Sequence, residues 1–155
     1  MKRWNFKVDD NPNEISKKLE SALGTIQGTV FNLSRDKNSV VTFKVRKRVL
    51  YAWYMVFQNW TIVNGKLLKT DNDNKTNVEI NFTQHFLIVL IIFTHILLGL
   101  SFLIAIISGK SNGTSTYVIG GILLVIGIIL WIAIQKKFEK DIKNYKTLIS
   151  EILET

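Results

Sequence analysis

The stretch FLIVLIIFTHILLGLSFLIAII, residues Phe86 to Ile107, decides the class of this chain. It runs 22 residues without an Asp, Glu, Lys or Arg. As a helix it rises about 33 Å, against a bilayer hydrocarbon core of about 30 Å. A second uncharged run of 19 residues covers 117–135. Hydrophobic residues make up 47% of the whole chain, an ordinary value, so their distribution matters and not their average. Two such runs in 155 residues exclude an ordinary soluble protein and predict two membrane spans, residues 86–107 and 117–135. The connector, residues 108–116, holds Gly109, Asn112 and Gly113 and is too short for anything but an antiparallel hairpin. Small residues let helix backbones approach where lipid competes for apolar surface. Gly99 and Ala105 in the first span, with Gly120, Gly121 and Gly127 in the second, are therefore the candidate helix-packing positions.

Outward from the hairpin, the charge is uneven. Residues 1–85 carry 14 Lys/Arg against 8 Asp/Glu, residues 136–155 carry 5 against 4, and the connector has Lys110 alone. Basic residues flanking spans mark the cytoplasmic side. The expectation is a multi-pass cell-membrane protein with both termini cytoplasmic and the connector outside. No apolar core follows the basic start, so no cleavable signal peptide is expected. The five Asn-x-Ser/Thr triplets, at Asn32, Asn59, Asn74, Asn81 and Asn112, then reflect an Asn-rich composition and not glycosylation.

Residues 1–85 read as a cytoplasmic α+β domain. Trp4, Phe6 and Val8 alternate with polar residues as in a strand. Asn11-Pro12-Asn13-Glu14 opens a helix, with Asn11 as cap, Pro12 at the first position and Gly24 as the stop. Thr29–Arg35 and residues 40–46 read as strands around a turn at 36–39. Residues 49–60, with Tyr51, Trp53, Tyr54, Phe57 and Trp60, fit a strand or a membrane-surface helix. Residues 60–63 and 66–69 flank Asn64-Gly65, a strong hairpin signal. A turn follows at 71–75, and residues 77–83 alternate as a last strand. The fold class expected is α+β: a small antiparallel sheet of about five strands with one packed helix, followed by the transmembrane hairpin.

Residues 136–155 form an amphipathic helix. Phe138, Ile142, Tyr145, Ile149 and Ile152 follow a heptad spacing, and no Gly or Pro separates them from the second span. The second span is therefore expected to continue unbroken into the cytoplasm. Its stripe needs a partner, either the sheet or a second copy.

The layout suggests a relationship. A basic strand, an aromatic segment, a Gly-centred hairpin and then Thr76-Asn77-Val78-Glu79-Ile80-Asn81-Phe82-Thr83-Gln84-His85 lead into two spans. Over roughly residues 40–135 this resembles uncharacterised small bacterial membrane proteins with a cytosolic β-rich domain ahead of a membrane hairpin. The resemblance brings no functional residue with it.

Few residues offer chemistry. His95, beside Thr94, sits mid-span, where an ionisable or polar group is a candidate proton relay or ligand contact; the plainer reading is a neutral His95 hydrogen-bonded to the second span or to a second copy of the chain. Lys44, Arg46, Lys47 and Arg48 form the strongest basic cluster and are candidate contacts for anionic lipid. A nucleic-acid reading is weaker, because a membrane's own lipids compete for the same charges. Asp71 and Asp73 lack the Gly and distant Glu of a calcium loop. The absence of cysteine excludes disulfides and thiolate sites, and no phosphate loop, nucleophile elbow or zinc-protease pattern occurs. The expectation is a non-enzymatic membrane-anchored interaction or scaffold module without cofactor or metal. Its partners are the bilayer, anionic lipid and a second copy or another membrane protein, with no nucleic acid. Two alternatives stand beside it. In one, Trp4, Phe31, Phe43, Trp53, Phe57 and Trp60 line a pocket for a lipid or other hydrophobic ligand. In the other, resting on His95, the chain is a small transporter or channel subunit.

Overall fold

The computed structural model describes residues 2–35, 40–48, 60–70, 75–110 and 113–154. The expected turn at 36–39, the aromatic segment at 49–59, including Trp53 and Phe57, and the turn residues 71–74 lie outside the described residues.

The elements run β1 (Lys2–Val8), α1 (Pro12–Gly24), β2 (Thr29–Arg35), β3 (Val41–Lys47), β4 (Thr61–Lys69), β5 (Thr76–Gln84), α2 (Phe86–Ile107) and α3 (Thr114–Leu153). The chain divides into two compact units, one of residues 1–84 with 140–155 and the other of residues 85–139.

The first unit is an antiparallel five-stranded sheet in the order β1-β5-β4-β3-β2, carrying helices on one face. Helix α1 starts where Asn11 places its side-chain oxygen 3.0 Å from the amides of Asn13 and Glu14, satisfying two N–H groups that the helix cannot. Ile15, Leu19 and Leu23 then share one side and are fully buried. The sheet answers with Phe43 and Val45 on β3, Val63 and Leu67 on β4, and Val78, Ile80 and Phe82 on β5. Two-residue alternation puts all of these on one face. Thr76 Oγ1 donates to Asp10 O at 2.6 Å and ties β5 to the start of α1.

A second helix joins that face, where the sequence had promised one. From Lys140 onward α3 belongs to the sheet unit. Ile142, Tyr145, Ile149 and Leu153 are buried, while Ile152 is only half-buried. Thr61 Oγ1 on β4 donates to Asp141 Oδ2 at 3.1 Å, and Lys146 Nζ stands 5.4 Å above the Trp4 ring on β1. The stripe is thus covered within one chain by the sheet, and the second-copy alternative is not needed to bury it.

The Asn64-Gly65 hairpin does not form. These residues sit inside a continuous β4, with Gly65 opposite Phe43 and Ile80. The Phe43 ring lies across the glycine, and a Cβ there would overlap it. Phe43 also stacks on Phe31, with ring centroids 5.9 Å apart. Cross-strand aromatic cover of a glycine outweighs the local turn preference. The chain reverses between β4 and β5, where a turn is expected, with Thr70 N donating to Lys75 O at 3.0 Å.

The second unit is a helical hairpin. His85 caps α2, its Nδ1 accepting from Leu87 N at 3.3 Å. At the far end Gly109 adopts a positive φ of 68°, and the amides of Gly109 and Lys110 donate to Ile106 O and Ala105 O. That pattern closes a helix and turns the chain. A Cβ added at Gly99 would meet Leu124, at Gly120 Phe102, and at Gly127 Ile96 and His95. Partner positions rise along α2 as they fall along α3, so the helices run antiparallel. Both helices are long and apolar enough to cross a membrane, and only 17% of each apolar window is buried. A core helix of a soluble protein is mostly buried; these expose Phe93, Ile104, Ile107, Ile122, Val125 and Ile129.

Candidate functional site: the open face of the sheet

The face of the sheet opposite its helices is built by the other half of each strand's alternation. Strand pairing lines up Arg3, Asn81, Asn64, Lys44 and Asn32 in one row across all five strands. The adjacent row is Asn5, Glu79, Lys66, Thr42 and Ser34. On the flanks stand Thr83, Ile62, Arg46 and Val30 on one side, and Lys7, Asn77 and Leu68 on the other. Each of these is exposed or half-buried. Directly opposed residues in antiparallel strands have Cβ atoms about 5 Å apart, so each row is a continuous strip of side chains.

The chemistry of this face is donor-rich. Arg3, Lys7, Lys44, Arg46 and Lys66 supply five cations, and Glu79 is the one carboxylate among them. A groove of about 460 Å³ runs between Asn32, Ser34, Thr42, Lys44, Lys66 and Asn81. Asn64 Nδ2 donates to Thr83 Oγ1 at 3.4 Å, which fixes that amide. Asn81 Oδ1 is buried without a hydrogen-bond partner among the described residues. Ammonium, guanidinium, amide and hydroxyl donors grouped this way suit an anionic surface. Among the described residues, no group of three or more His, Cys, Asp or Glu is placed to hold a metal ion.

The basic cluster read from the sequence is split by strand geometry. Lys44 and Arg46 reach the open face, exposed and half-buried respectively. Lys47 falls on the helix-bearing side, where its Nζ donates to Gln27 O at 3.2 Å. Arg48 follows the end of β3, its backbone amide donating to Gly28 O at 2.8 Å. Arg3, Lys7 and Lys66 complete the patch from other strands. Sequence proximity finds only the contiguous half of such a site; the rest needs the register.

His95 Nδ1 lies 2.8 Å from Ile91 O, a contact a carbonyl can make only with a protonated ring nitrogen. The residue sits beside Gly127 of α3. Thr94 is exposed, its Oγ1 donating to Leu90 O at 2.9 Å, so the two neighbours diverge. His95 Nδ1 and Thr94 Oγ1 thus bond to carbonyls of their own helix, and not to the second span as expected for His95. Of the small residues, Gly99, Gly120 and Gly127 lie at the helix contact, whereas a Cβ at Gly121 would meet nothing within 4 Å. Ala105 is half-buried near the end of α2, and its carbonyl accepts the closing bond from Lys110.

Of the aromatic residues read as a pocket, Trp53 and Phe57 lie outside the described residues and Phe31 stacks on Phe43. Phe43 is spent covering Gly65, Trp60 is buried, and Trp4 packs on Phe6 with centroids 4.3 Å apart.

No protein-family model matches the chain, and no significantly similar curated protein or solved structure is found.

Proposed function

We propose that this chain is an integral membrane protein whose hairpin spans the cell membrane, with both termini cytoplasmic, and whose sheet unit is a non-enzymatic interaction module for anionic lipid headgroups. The observation that supports this most directly is the open sheet face, with five cations against one carboxylate around a groove. A module tethered to a bilayer meets that bilayer's lipids at high effective concentration. Each Lys or Arg near an anionic surface contributes about 1 kcal/mol of attraction. The excess of Lys and Arg in residues 1–85 supports the orientation.

The absence of cysteine makes the test direct, because one introduced thiol takes the label alone. An environment-sensitive dye on Ser34→Cys, in full-length protein in nanodiscs, shifts its emission when neutral lipid is replaced by anionic lipid. The shift disappears at high salt and in the Lys44→Glu/Lys66→Glu variant. A dye on Lys17→Cys of α1 does not respond. Equal emission in neutral and anionic nanodiscs overturns the lipid reading. Orientation is tested separately: a protease site at position 112 is cut from outside intact cells, and one at either terminus is protected.

A further inference from the structure

We propose that the outer edge of β2 takes up an extended segment of a partner protein, one that alternates acidic and apolar residues, as an added strand of the sheet. The two edge strands, β1 and β2, are unlike. β1 carries Lys2, Arg3 and Lys7 among its seven residues. Charged side chains, Lys above all, keep an edge from pairing with another chain. β2 carries a single charge, Arg35 at its last position, and no Pro.

The register fixes which backbone groups β2 offers. Arg48 N donates to Gly28 O at 2.8 Å, so these residues form a hydrogen-bonded pair. Such pairs alternate along an antiparallel ladder. The bonded pairs that follow are Val30 with Arg46, Asn32 with Lys44 and Ser34 with Thr42. Phe31 and Leu33 therefore turn their N–H and C=O groups away from β3, to the side where no described strand lies. Two donors and two acceptors at strand spacing are what an added strand pairs with.

Side chains select that strand. Phe31 and Leu33 are half-buried on the helix-bearing face, and Phe31 stacks on Phe43, so this row is apolar out to the edge. Apolar residues opposite Phe31 and Leu33 would extend it. On the other face β2 presents Asn32 and Ser34, both exposed and short, and the groove runs over them to Lys44. An added strand lies two strand spacings, about 10 Å, from β3. A Glu on it and Lys44 or Arg46 can lean toward each other across Asn32. Neither β2 nor β3 holds a carboxylate that would compete. A basic segment would meet Lys44 and Arg46 as like charges.

The probe is a dye-labelled, capped seven-residue peptide of alternating Glu and Val. It is titrated by fluorescence anisotropy onto full-length protein in phosphatidylcholine nanodiscs. Neutral lipid keeps anionic headgroups off the open face, so the test stands apart from the lipid reading. The wild type binds the peptide saturably, and a Lys/Val peptide at least tenfold more weakly. Lys44→Gln/Arg46→Gln weakens binding of the Glu/Val peptide about tenfold, the effect of two partly exposed charge pairs. Leu33→Pro removes an outward N–H, spares the β2–β3 ladder and abolishes binding. Hydrogen exchange of β4 and β5 checks that each variant is folded. On the unaltered protein, N-methylating the peptide at its Val residues, whose N–H groups face β2, removes binding; N-methylating its Glu residues does not. Binding no greater than to empty nanodiscs, equal binding of the Glu and Lys peptides, or equal effects of the two N-methylations would each overturn the proposal. So would disulfide cross-linking between two Asn32→Cys copies that the peptide fails to displace, because the edge would then belong to a second copy.

Discussion

Isoleucine has opposite fates in the two units. In the sheet unit Ile15, Ile80 and Ile149 are 0% exposed; in the hairpin Ile104 is 65% and Ile107 85% exposed. The first unit obeys the hydrophobic effect in water and hides its apolar face between two helices and a sheet. The second, on the proposed membrane-spanning reading, has nothing to gain by hiding apolar groups, because lipid tails are as apolar as they are. Its helices meet through what they lack, the side chains of Gly99, Gly120 and Gly127. One unit is held by large residues and the other by small ones, and substitutions should separate them on that line.

The largest effect is expected where α3 enters the sheet unit. Ile142 is 4% and Ile149 0% exposed. Replacing both by Asp buries two carboxylates without partners, at a cost of more than about 5 kcal/mol. The sheet unit should lose protease resistance at every protein concentration, while the hairpin still resists alkaline extraction from membranes. A resistant sheet unit that lost only cross-linked dimers would make the stripe an association surface, and the contrast between the units would collapse.

Gly65 breaks the rule that the sheet unit is held by large residues, and so sharpens it. Gly65→Val forces a side chain into the Phe43 ring and should destabilise the sheet by about 2–4 kcal/mol. Adding Phe43→Leu should recover part of that loss, which urea unfolding of the two variants and their combination measures.

The same position shows what the sequence carries and what it hides. Thr29–Arg35 and Phe86–Ile107 have the bounds that alternation and hydropathy predict, because each signal is local and unopposed. Asn64-Gly65 is a strong local signal too, but its fate is set by a ring on another strand, 22 residues away in sequence. The open face is hidden for a related reason. Lys44 and Arg46 are legible as basic residues, yet their alignment with Asn64, Asn81 and Arg3 exists only once the register is known. Tyr145 reads as one more seam residue, since its heptad position says nothing about whether its hydroxyl finds a partner.

Tyr145 gives the next effect. Its pKa is raised from 10.0 to about 12 in the folded protein. Above pH 10 the unfolded chain gives up this proton and the folded one keeps it, so the unfolded state binds fewer protons. The stabilisation is complete below pH 10 and is lost as pH rises toward 12, by up to about 2–3 kcal/mol. Unfolding followed by circular dichroism from pH 9 to 12 should show a shallower fall for Tyr145→Phe than for the wild type. At pH 7 the same variant should match or exceed wild-type stability, because it removes a buried hydroxyl without a partner.

The smallest effect tests the hairpin with two adjacent glycines. A Cβ at Gly120 would come within 2.7 Å of Phe102 Cβ, whereas at Gly121 it would meet nothing within 4 Å. Replacing either by Ala gains helix propensity, up to about 1 kcal/mol. At Gly121 that gain stands alone, so Gly121→Ala should be neutral or slightly stabilising. At Gly120 the methyl pushes α2 and α3 apart, and the lost contacts should exceed the gain, leaving about 1 kcal/mol net destabilisation. Steric trapping of the hairpin in bicelles resolves a difference of this size, with the protease resistance of the sheet unit unchanged in both variants. Equal responses, or a larger loss at Gly121, would mean that the hairpin packs through another face of α3, and that small residues are not what holds the second unit together.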